Sequence, residues 1–574
     1  MVHSDMEPKA HEDVIPPIGD AIRIIPLGGV EEIGKNMTVF EYKNDIIIVD
    51  CGFQFSEDET PGIDYILPNT KYLEERKEKI RAIVITHGHL DHIGAIPYIM
   101  ERIGNPPIYS RLLTTTMIKK RQEEFRHLPP LDIRVVEKND RIAFGDLAIR
   151  FFAVRHSIPD SMGVLIETPH GVIAHTGDLK VDNVDNTPTE EEEKEYAHFQ
   201  NENVLALLSD STNVENPGYS LPDPIVFAQI EKVIANVKGR LIIGTFSSQL
   251  ERIIKIIELC EKYNKKVIIE GRSMKTNVEI VKFLKMLETK KGTFISNEEM
   301  EQYPPDKIVA IATGAQGDEF SALMRMAMRS HKHFKINPKD TILLSSSVIP
   351  GNERAVQKLK DNLSRQGAHI IHNKIMDIHS SGHANRDETM WIHRKINPRF
   401  FIPIHGYHYM LRVHADIEHE RGTPRENIVT PDNGSVIEIR DGGKKIVVLK
   451  EKAPASIRMV DGFSIGDIQE VVVRDRKTLA QDGMFVIIAM LNTKTGKLRK
   501  SPDIISRGFV YLRGSQELLN HTRLIIKKNV EKTASGMNPI NFEHIRNTLT
   551  DEVERFLFEK TNKRPIVIPV IFGV

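Results

Sequence analysis

Two cysteines in 574 residues, Cys51 and Cys260, cannot build a disulfide framework, so the sequence suits a reducing compartment. Both lie in apolar runs and read as small buried hydrophobes rather than thiolate ligands. No run approaches the roughly 18 apolar residues that a membrane span needs. Residues 1–19 are polar and broken by proline, without the apolar stretch of a signal peptide. A cytoplasmic protein with no membrane partner is the expectation. Charge of either sign is not in excess: 78 Lys and Arg face 79 Asp and Glu, a net charge of −1. The molecule as a whole therefore does not advertise a polyanion-binding surface, although a balanced total can hide a local basic groove. No internal repeat and no low-complexity tract interrupts the chain.

Histidine is what the sequence has in quantity, 23 residues, several of them clustered at 87/89/92, 379/383 and 405/408. Such clustering points to metal binding or acid–base chemistry. The remaining composition, 40% apolar and 27% charged, is ordinary for a globular protein, and the length calls for two to four domains.

Residues 1–20 read as a flexible lead. Short β-rich runs follow at 22–25, 37–40, 46–49, 82–86, 147–154, 164–167, 172–175 and 204–208. A layered α/β unit with covering helices fits them. The acidic run Glu190–Glu193 reads as a solvated loop or helix start. From about Tyr219 helix and strand alternate, the signature of a parallel sheet. Strand-like segments bearing histidines return after Ile371, so the alternating region is expected as an insertion within the metal-binding domain. Pro454 and its polar neighbours mark a linker. The last stretch has strands of its own, such as 485–491 and 566–572, and a helical segment, 542–560.

The densest chemistry is His87-Gly88-His89-Leu90-Asp91-His92, between a strand ending at Thr86 and an expected helix, 93–100. Imidazoles and a carboxylate suit zinc or manganese. Four such groups within six residues exceed what one closed site needs from one segment, and their spacing lets His87 and His89 face one ion while Asp91 and His92 face a second. Two coordination shells need further ligands from later strand ends. His156, Asp178 and His405 each follow a β run, and a carboxylate such as Asp178 suits a bridge between two ions. Asp210 could alternatively close an Asx turn before Thr212.

The pattern resembles the metallo-β-lactamase superfamily, its β-CASP branch, and within that branch the ribonuclease J family. The resemblance spans about residues 20–574. It rests on Gly28–Asn36, Asp50-Cys51-Gly52, Leu207–Asn213, Thr313–Gly317, Ser345–Asn352 and Pro502–Val510, besides the histidine cluster. It implies a metallo-β-lactamase αββα sandwich with an inserted α/β β-CASP domain and a small α+β C-terminal domain. The expected boundaries are 21–215 and 373–450 for the two parts of the sandwich, 216–372 for the insertion, 451–465 for the linker and 466–574 for the C-terminal domain.

By position, the resemblance implies one divalent ion on His87, His89, His156 and Asp178 and another on Asp91, His92, Asp178 and His405. Asp50 would orient the metal site through hydrogen bonds. His383 would protonate the leaving oxygen, with Asp210 orienting it. The segment His379-Ser380-Ser381-Gly382-His383 would hold a phosphate of the RNA 5′ end, with Phe246-Ser247-Ser248 contributing and Phe55 a candidate for base stacking. Leu90 stands where many relatives carry Glu, a position that is not a ligand.

The implied activity is two-metal hydrolysis of RNA: a 5′→3′ exonuclease preferring single-stranded 5′-monophosphorylated ends, with endonuclease activity, in RNA maturation and decay. By resemblance the chain forms a homodimer or homotetramer, supported by its C-terminal domain, and can meet other RNA-decay proteins. Three rivals are a small-ester or thioester hydrolase, a DNA nuclease and an inactive partner subunit. The insertion and phosphate segment argue against the first, the family motifs favour RNA over DNA, and the intact ligand set argues against the third.

Overall fold

The computed structural model describes residues 15–55, 60–349, 351–462, 464–466, 470–510, 515–535, 537 and 539–574. Of the segments singled out above, residues 1–14 of the lead and residue 350 of the 345–352 motif lie outside the described residues. The chain divides into two compact units, the residues up to Gln54 with Leu67–Ile457, and Phe55–Ile66 with Arg458–Val574.

The first unit contains the expected layered sandwich. One sheet runs in the order 445–452, 435–440, 22–28, 37–42, 45–49, 80–84, 108–110, 133–135, and the other 400–404, 204–210, 171–175, 162–168, 147–153, 141–144. Their facing side chains, among them Ile24, Phe40, Ile47, Val84, Ile149, Val164, Leu208 and Ile402, form one buried core. On the outer face of the second sheet, Phe152, Leu207 and Phe401 pack with Trp391 and Ile392 of helix Arg386–Ile396. The lead is tied down from residue 16: the Arg23 guanidinium donates to the Pro16 carbonyl, and the Tyr42 hydroxyl donates to Asp20.

The acidic run is a helix start, as read, with Glu190, Glu191 and Glu193 exposed and Glu192 alone turned inward. Helix Glu190–Tyr196 is capped by Thr189, and Glu192 is buried, accepting from the Asp182 amide. Burial pushes its carboxyl up to about 7. The helix expected at 93–100 is instead two short ones, Leu90–Ile93 and Ile96–Ile99. At Gly94 between them a Cβ would come within 2.3 Å of the Phe53 ring.

Between the last two strands of the second sheet the chain inserts an all-parallel five-stranded sheet, ordered 266–270, 308–312, 241–244, 341–344, 369–372. Helix Leu250–Lys262 carries the chain from strand 241–244 to one edge, while helix Glu353–Ser364 carries it from strand 341–344 to the other. The carboxyl ends of these two neighbouring strands are therefore the switch point of the sheet, where open α/β sheets bind ligands.

The second unit holds a three-stranded sheet in which 484–491 pairs antiparallel with 503–507 and parallel with 566–573. Helices Gln516–Ala534 and Phe542–Thr561 cover it through Leu519, Ile526, Val530, Leu549 and Leu557. Only the second of these helices was expected from the sequence.

Candidate metal centre

Six loops bring polar side chains together at the carboxyl ends of strands 45–49, 80–84, 147–153, 171–175, 204–210 and 400–404. Asp50 and His405 leave their strands in the left-handed region, at φ 65° and 53°. Such backbone costs of order 1–3 kcal/mol for a residue with a side chain and persists where the surroundings over-determine it. Both positions are fixed from several sides. Asp50 accepts from the Thr86 amide at 2.8 Å and from His92 Nδ1 at 2.7 Å, while His405 Nδ1 donates to Asn36 Oδ1 at 2.9 Å. The Asn36, Cys51 and Phe53 amides also donate to the carbonyls of Asp91, His92 and Leu90. Here glycine is obligatory at 52, since a Cβ would fall 1.5 Å from the Asp91 carbonyl oxygen.

The ligating atoms of His87, His89, His156 and Asp178 all lie within 4.8 Å of one another, as do those of Asp91, His92, Asp178 and His405. Asp178 Oδ2 sits 3.7, 3.3, 3.8 and 3.4 Å from Nε2 of His87, His92, His156 and His405. Ligand atoms bound tetrahedrally at about 2.1 Å from one cation lie roughly 3.4 Å apart. His156 Nδ1 is taken by the Gly382 carbonyl at 2.6 Å, so with His92 and His405 it presents Nε2 inward. His87 Nε2 and Asp178 Oδ1 are buried without a hydrogen-bond partner. Among the described residues, no Lys or Arg forms an ion pair with Asp50, Asp91 or Asp178. The buried Asp178 carboxylate with imidazoles on every recorded side, together with unpartnered buried ligand atoms, is a set that divalent cations would complete.

The chain matches families described as Metallo-beta-lactamase superfamily over residues 31–208, Ribonuclease J, beta-CASP domain over 238–363, Zn-dependent metallo-hydrolase RNA specificity domain over 367–431, and Ribonuclease J C-terminal domain over 471–574. It is 34% identical over 553 residues to Ribonuclease J2 of Bacillus subtilis, covering 96% of this chain and 99% of that one. The chain belongs to the ribonuclease J family. Ribonuclease J 1 of Streptococcus pyogenes is 35% identical, with 96% and 97% covered, and Ribonuclease J 2 of Staphylococcus epidermidis 36%, with 96% and 98%. A crystal structure of a protein of unknown function from Enterococcus faecalis shares the fold, at a TM-score of 0.50 and 17% identity over 75% of this chain and 100% of that one.

As a member of the ribonuclease J family the protein is a metal-dependent ribonuclease, with the metallo-β-lactamase fold and β-CASP insertion described above. No helix among the described residues is long and apolar enough to cross a membrane. Burial drives the His87 and His156 imidazoles well below their usual range and His89 down to about 4, which leaves them neutral and able to ligate a cation.

Beside the cluster, the Asp210 carboxylate accepts from the Leu179 amide and from two further groups. Its Oδ1 accepts from the Thr212 amide, closing the Asx turn, and its Oδ2 accepts from His383 Nδ1 at 2.7 Å. The His383 ring stacks 5.5 Å from that of His405. Burial alone would lower the His383 pKa, but Asp210, with smaller help from Asp178 and Asp91, holds it up at about 9. Cations bound at the two clusters would cancel the share of Asp178 and Asp91 and leave that of Asp210.

The segment His379–His383 is held from behind by Arg252, a buried residue that the sequence reading missed. Its guanidinium donates to His379 Nδ1 at 2.7 Å, to the Ser380 and Ser345 carbonyls, and to Gln249. Gln249 and Thr245, at the end of strand 241–244, complete this group at the switch point. Ser380, Ser381, Gln249, Arg252 and Lys180 line a small cavity there, and the Lys180 ammonium pairs with Asp223. Phe246, Ser247 and Ser248 lie next to Gln249, but no hydrogen bond of the described residues joins the Ser247 or Ser248 hydroxyl to residues 379–383; Asn277 caps the Ser247 carbonyl. Phe55 is exposed, its ring edge-on to Tyr65 within the second unit. Arg252→Ala is expected to raise KM for RNA by about 10-fold or more, since it breaks several charge-assisted bonds to the loop. Metal content by elemental analysis stays unchanged; an unaltered KM contradicts the assignment.

A second missed group supports the Asp210 loop. Ser211 Oγ bonds His414 Nδ1 at 2.9 Å, His414 Nε2 meets His393 Nε2 at 3.1 Å, and His393 Nδ1 bonds Glu418. Glu418 is fully buried and also accepts from Arg421 and Thr423. Although burial opposes it, the bonds from His393 and Arg421 hold its carboxyl down at about 2. A carboxyl depressed in the folded state adds stability that is complete above its unfolded pKa, near 4.5, and is lost as pH falls toward 2. Glu418→Ala is therefore expected to cost about 1–3 kcal/mol at pH 7, because the His393, Arg421 and Thr423 donors lose their buried acceptor. Chemical unfolding measures this, and the difference from wild type should narrow below pH 4.5.

Proposed function

We propose that this ribonuclease cuts RNA phosphodiester bonds with two divalent ions, zinc or manganese, as a 5′→3′ exonuclease preferring 5′-monophosphate ends. Internal cleavage is a second mode, and the physiological setting is RNA maturation and decay. The observation that carries the two-ion reading is Asp178, whose one carboxylate lies within ligand-to-ligand distance of imidazoles from both clusters. His87, His89 and His156 would hold one ion with Asp178, and Asp91, His92 and His405 the other. Bound there, the cations would supply Lewis acidity, making water nucleophilic near neutral pH and offsetting charge on the reacting phosphate.

The chain's own side chains supply the rest. Asp210 fixes His383 through Nδ1, so Nε2 is left to give its proton to the leaving oxygen. Asp50 and Asn36 hold His92 and His405 in the tautomers that present Nε2 to the cluster. Ser380, Ser381 and the backbone around Gly382, braced by Arg252, would grip a terminal phosphate beside the cluster. A phosphate held at that place measures off the scissile bond from the 5′ end, which accounts for stepwise release of mononucleotides. We further propose that the C-terminal domain supports assembly into a dimer or tetramer in the cytoplasm.

The test uses one RNA labelled near its 5′ end and bearing a monophosphate, a triphosphate or a hydroxyl, with manganese or zinc supplied. Rapid mononucleotide release from the monophosphate form is expected. Equal degradation of all three forms would overturn the exonuclease preference.

A further inference from the structure

Beyond the catalytic loops, the inserted sheet carries a cavity of about 410 Å³ at the carboxyl ends of strands 341–344 and 369–372. Its floor is apolar, formed by Ala315, Leu344 and Val356. One end is cationic, with Lys360 from helix Glu353–Ser364 and Lys374 just after strand 369–372, both beside His372. Neither ammonium forms an ion pair or hydrogen bond with any described residue. The His372 imidazole is pushed below its usual range by burial and by both lysines, and its Nδ1 accepts from the Lys374 amide, which leaves Nε2 as a donor. The carboxylate of the cavity, Glu353, accepts from the Gly351 amide. Ser346, Ser347, Gln357 and Asn373 offer further polar groups on the wall.

We propose that this cavity is a binding site for a free mononucleotide, separate from the metal centre. The volume falls in the range of small-ligand sites, which pair a mostly apolar surface with a few placed polar groups. Two unpaired ammonium groups match the two negative charges of a phosphomonoester, and the apolar floor offers a surface of the kind that a base covers. The serine-rich segment after strand 341–344 forms the partition between this cavity and the catalytic loops. Ser346 and Ser347 line the cavity, while the Ser345 carbonyl accepts from Arg252 and the Ser345 hydroxyl donates to the Ile378 carbonyl, immediately before His379. Gln316 fixes the partition through the Ser347 carbonyl at 2.7 Å and the Ile349 amide at 2.8 Å. A ligand here therefore sits one backbone segment away from the loop that Arg252 braces, without touching the metal ligands.

Equilibrium dialysis of the full-length, metal-loaded protein with adenosine 5′-monophosphate tests the proposal, because the nucleotide count per chain separates this site from the active centre. Wild type is expected to bind two per chain and the K360A/K374A double variant one, the lost site weakening at least about 10-fold. Hydrolysis of RNA in the absence of added nucleotide is expected to be unchanged by the double variant. The charge-conserving K360R/K374R variant should keep the second site, which guards against a merely misfolded alanine variant. Inorganic phosphate should displace the nucleotide from this site, and adenosine should not. An isotherm identical in wild type and K360A/K374A, or displacement by adenosine, overturns the proposal.

Discussion

Replacement of His383 by alanine is expected to lower kcat by about 10²–10⁴, the usual contribution of a positioned general acid. The reasoning is geometric. Asp210 occupies Nδ1, and the ring stacks on that of His405, so Nε2 is carried to the edge of the metal cluster. His383 is not among the ligand groups that share Asp178, and both ions should remain. Elemental analysis with single-turnover kinetics separates the outcomes: unchanged metal with slow chemistry supports a proton donor. A rate within a few-fold of wild type would remove His383 from the mechanism. Asp210→Asn should fall between the two, because an amide can still hold the ring while losing the charge that keeps it protonated.

Asp178→Ala is expected to be more severe. Among the described residues its carboxylate is the only group that belongs to both clusters, so its loss should cost metal occupancy at both positions together. Activity should fall by at least about 10³, since the metal-dependent part of the rate goes with the ions. Titration with manganese would show two sites in wild type and weakened binding at both in the variant. Loss of one ion with the other fully retained would mean that Asp178 serves a single site.

Much of this was legible in the sequence because it is local. The run from His87 to His92 gathers four polar groups within six residues, and no tertiary information is needed to see a metal site there. His156, Asp178 and His405 could be picked out only as polar residues following β runs, a signal shared with ordinary loop residues. The layered fold followed from strand runs separated by turn residues, and the insertion from the change of rhythm near Tyr219. Illegible were groups that act across long sequence separations through a buried face. Arg252 sits among Leu250, Ile253, Ile256 and Ile257 on a helix that reads as an amphipathic cover, and nothing nearby marks it as a brace for His379. His414 and Glu418, four residues apart, lie on one helical face, and only the fold brings His393 of another helix between them. Phe246–Ser248 lies just after strand 241–244, while the hydrogen bonds to the 379–383 loop come from Arg252, one helical turn later. Helix Gln516–Ala534 was missed although its buried positions recur at helical spacing, because polar residues interrupt the apolar stripe.

The order of the strands along the chain also sets a timetable. Strand 204–210 ends with Asp210, yet its neighbour 400–404, which carries His405, is synthesised only after the whole inserted sheet. At usual translation speeds of roughly 5–20 residues per second, that gap lasts about 10–40 seconds. Through most of that interval the growing polypeptide has His87, His89, Asp91, His92, His156 and Asp178 but neither His383 nor His405. On the ligand and proton-donor assignments proposed above, a protein that cleaves RNA would thus be incompetent while its first 380 or so residues emerge beside the very message that encodes it, and would acquire His383 and His405 late in its own synthesis.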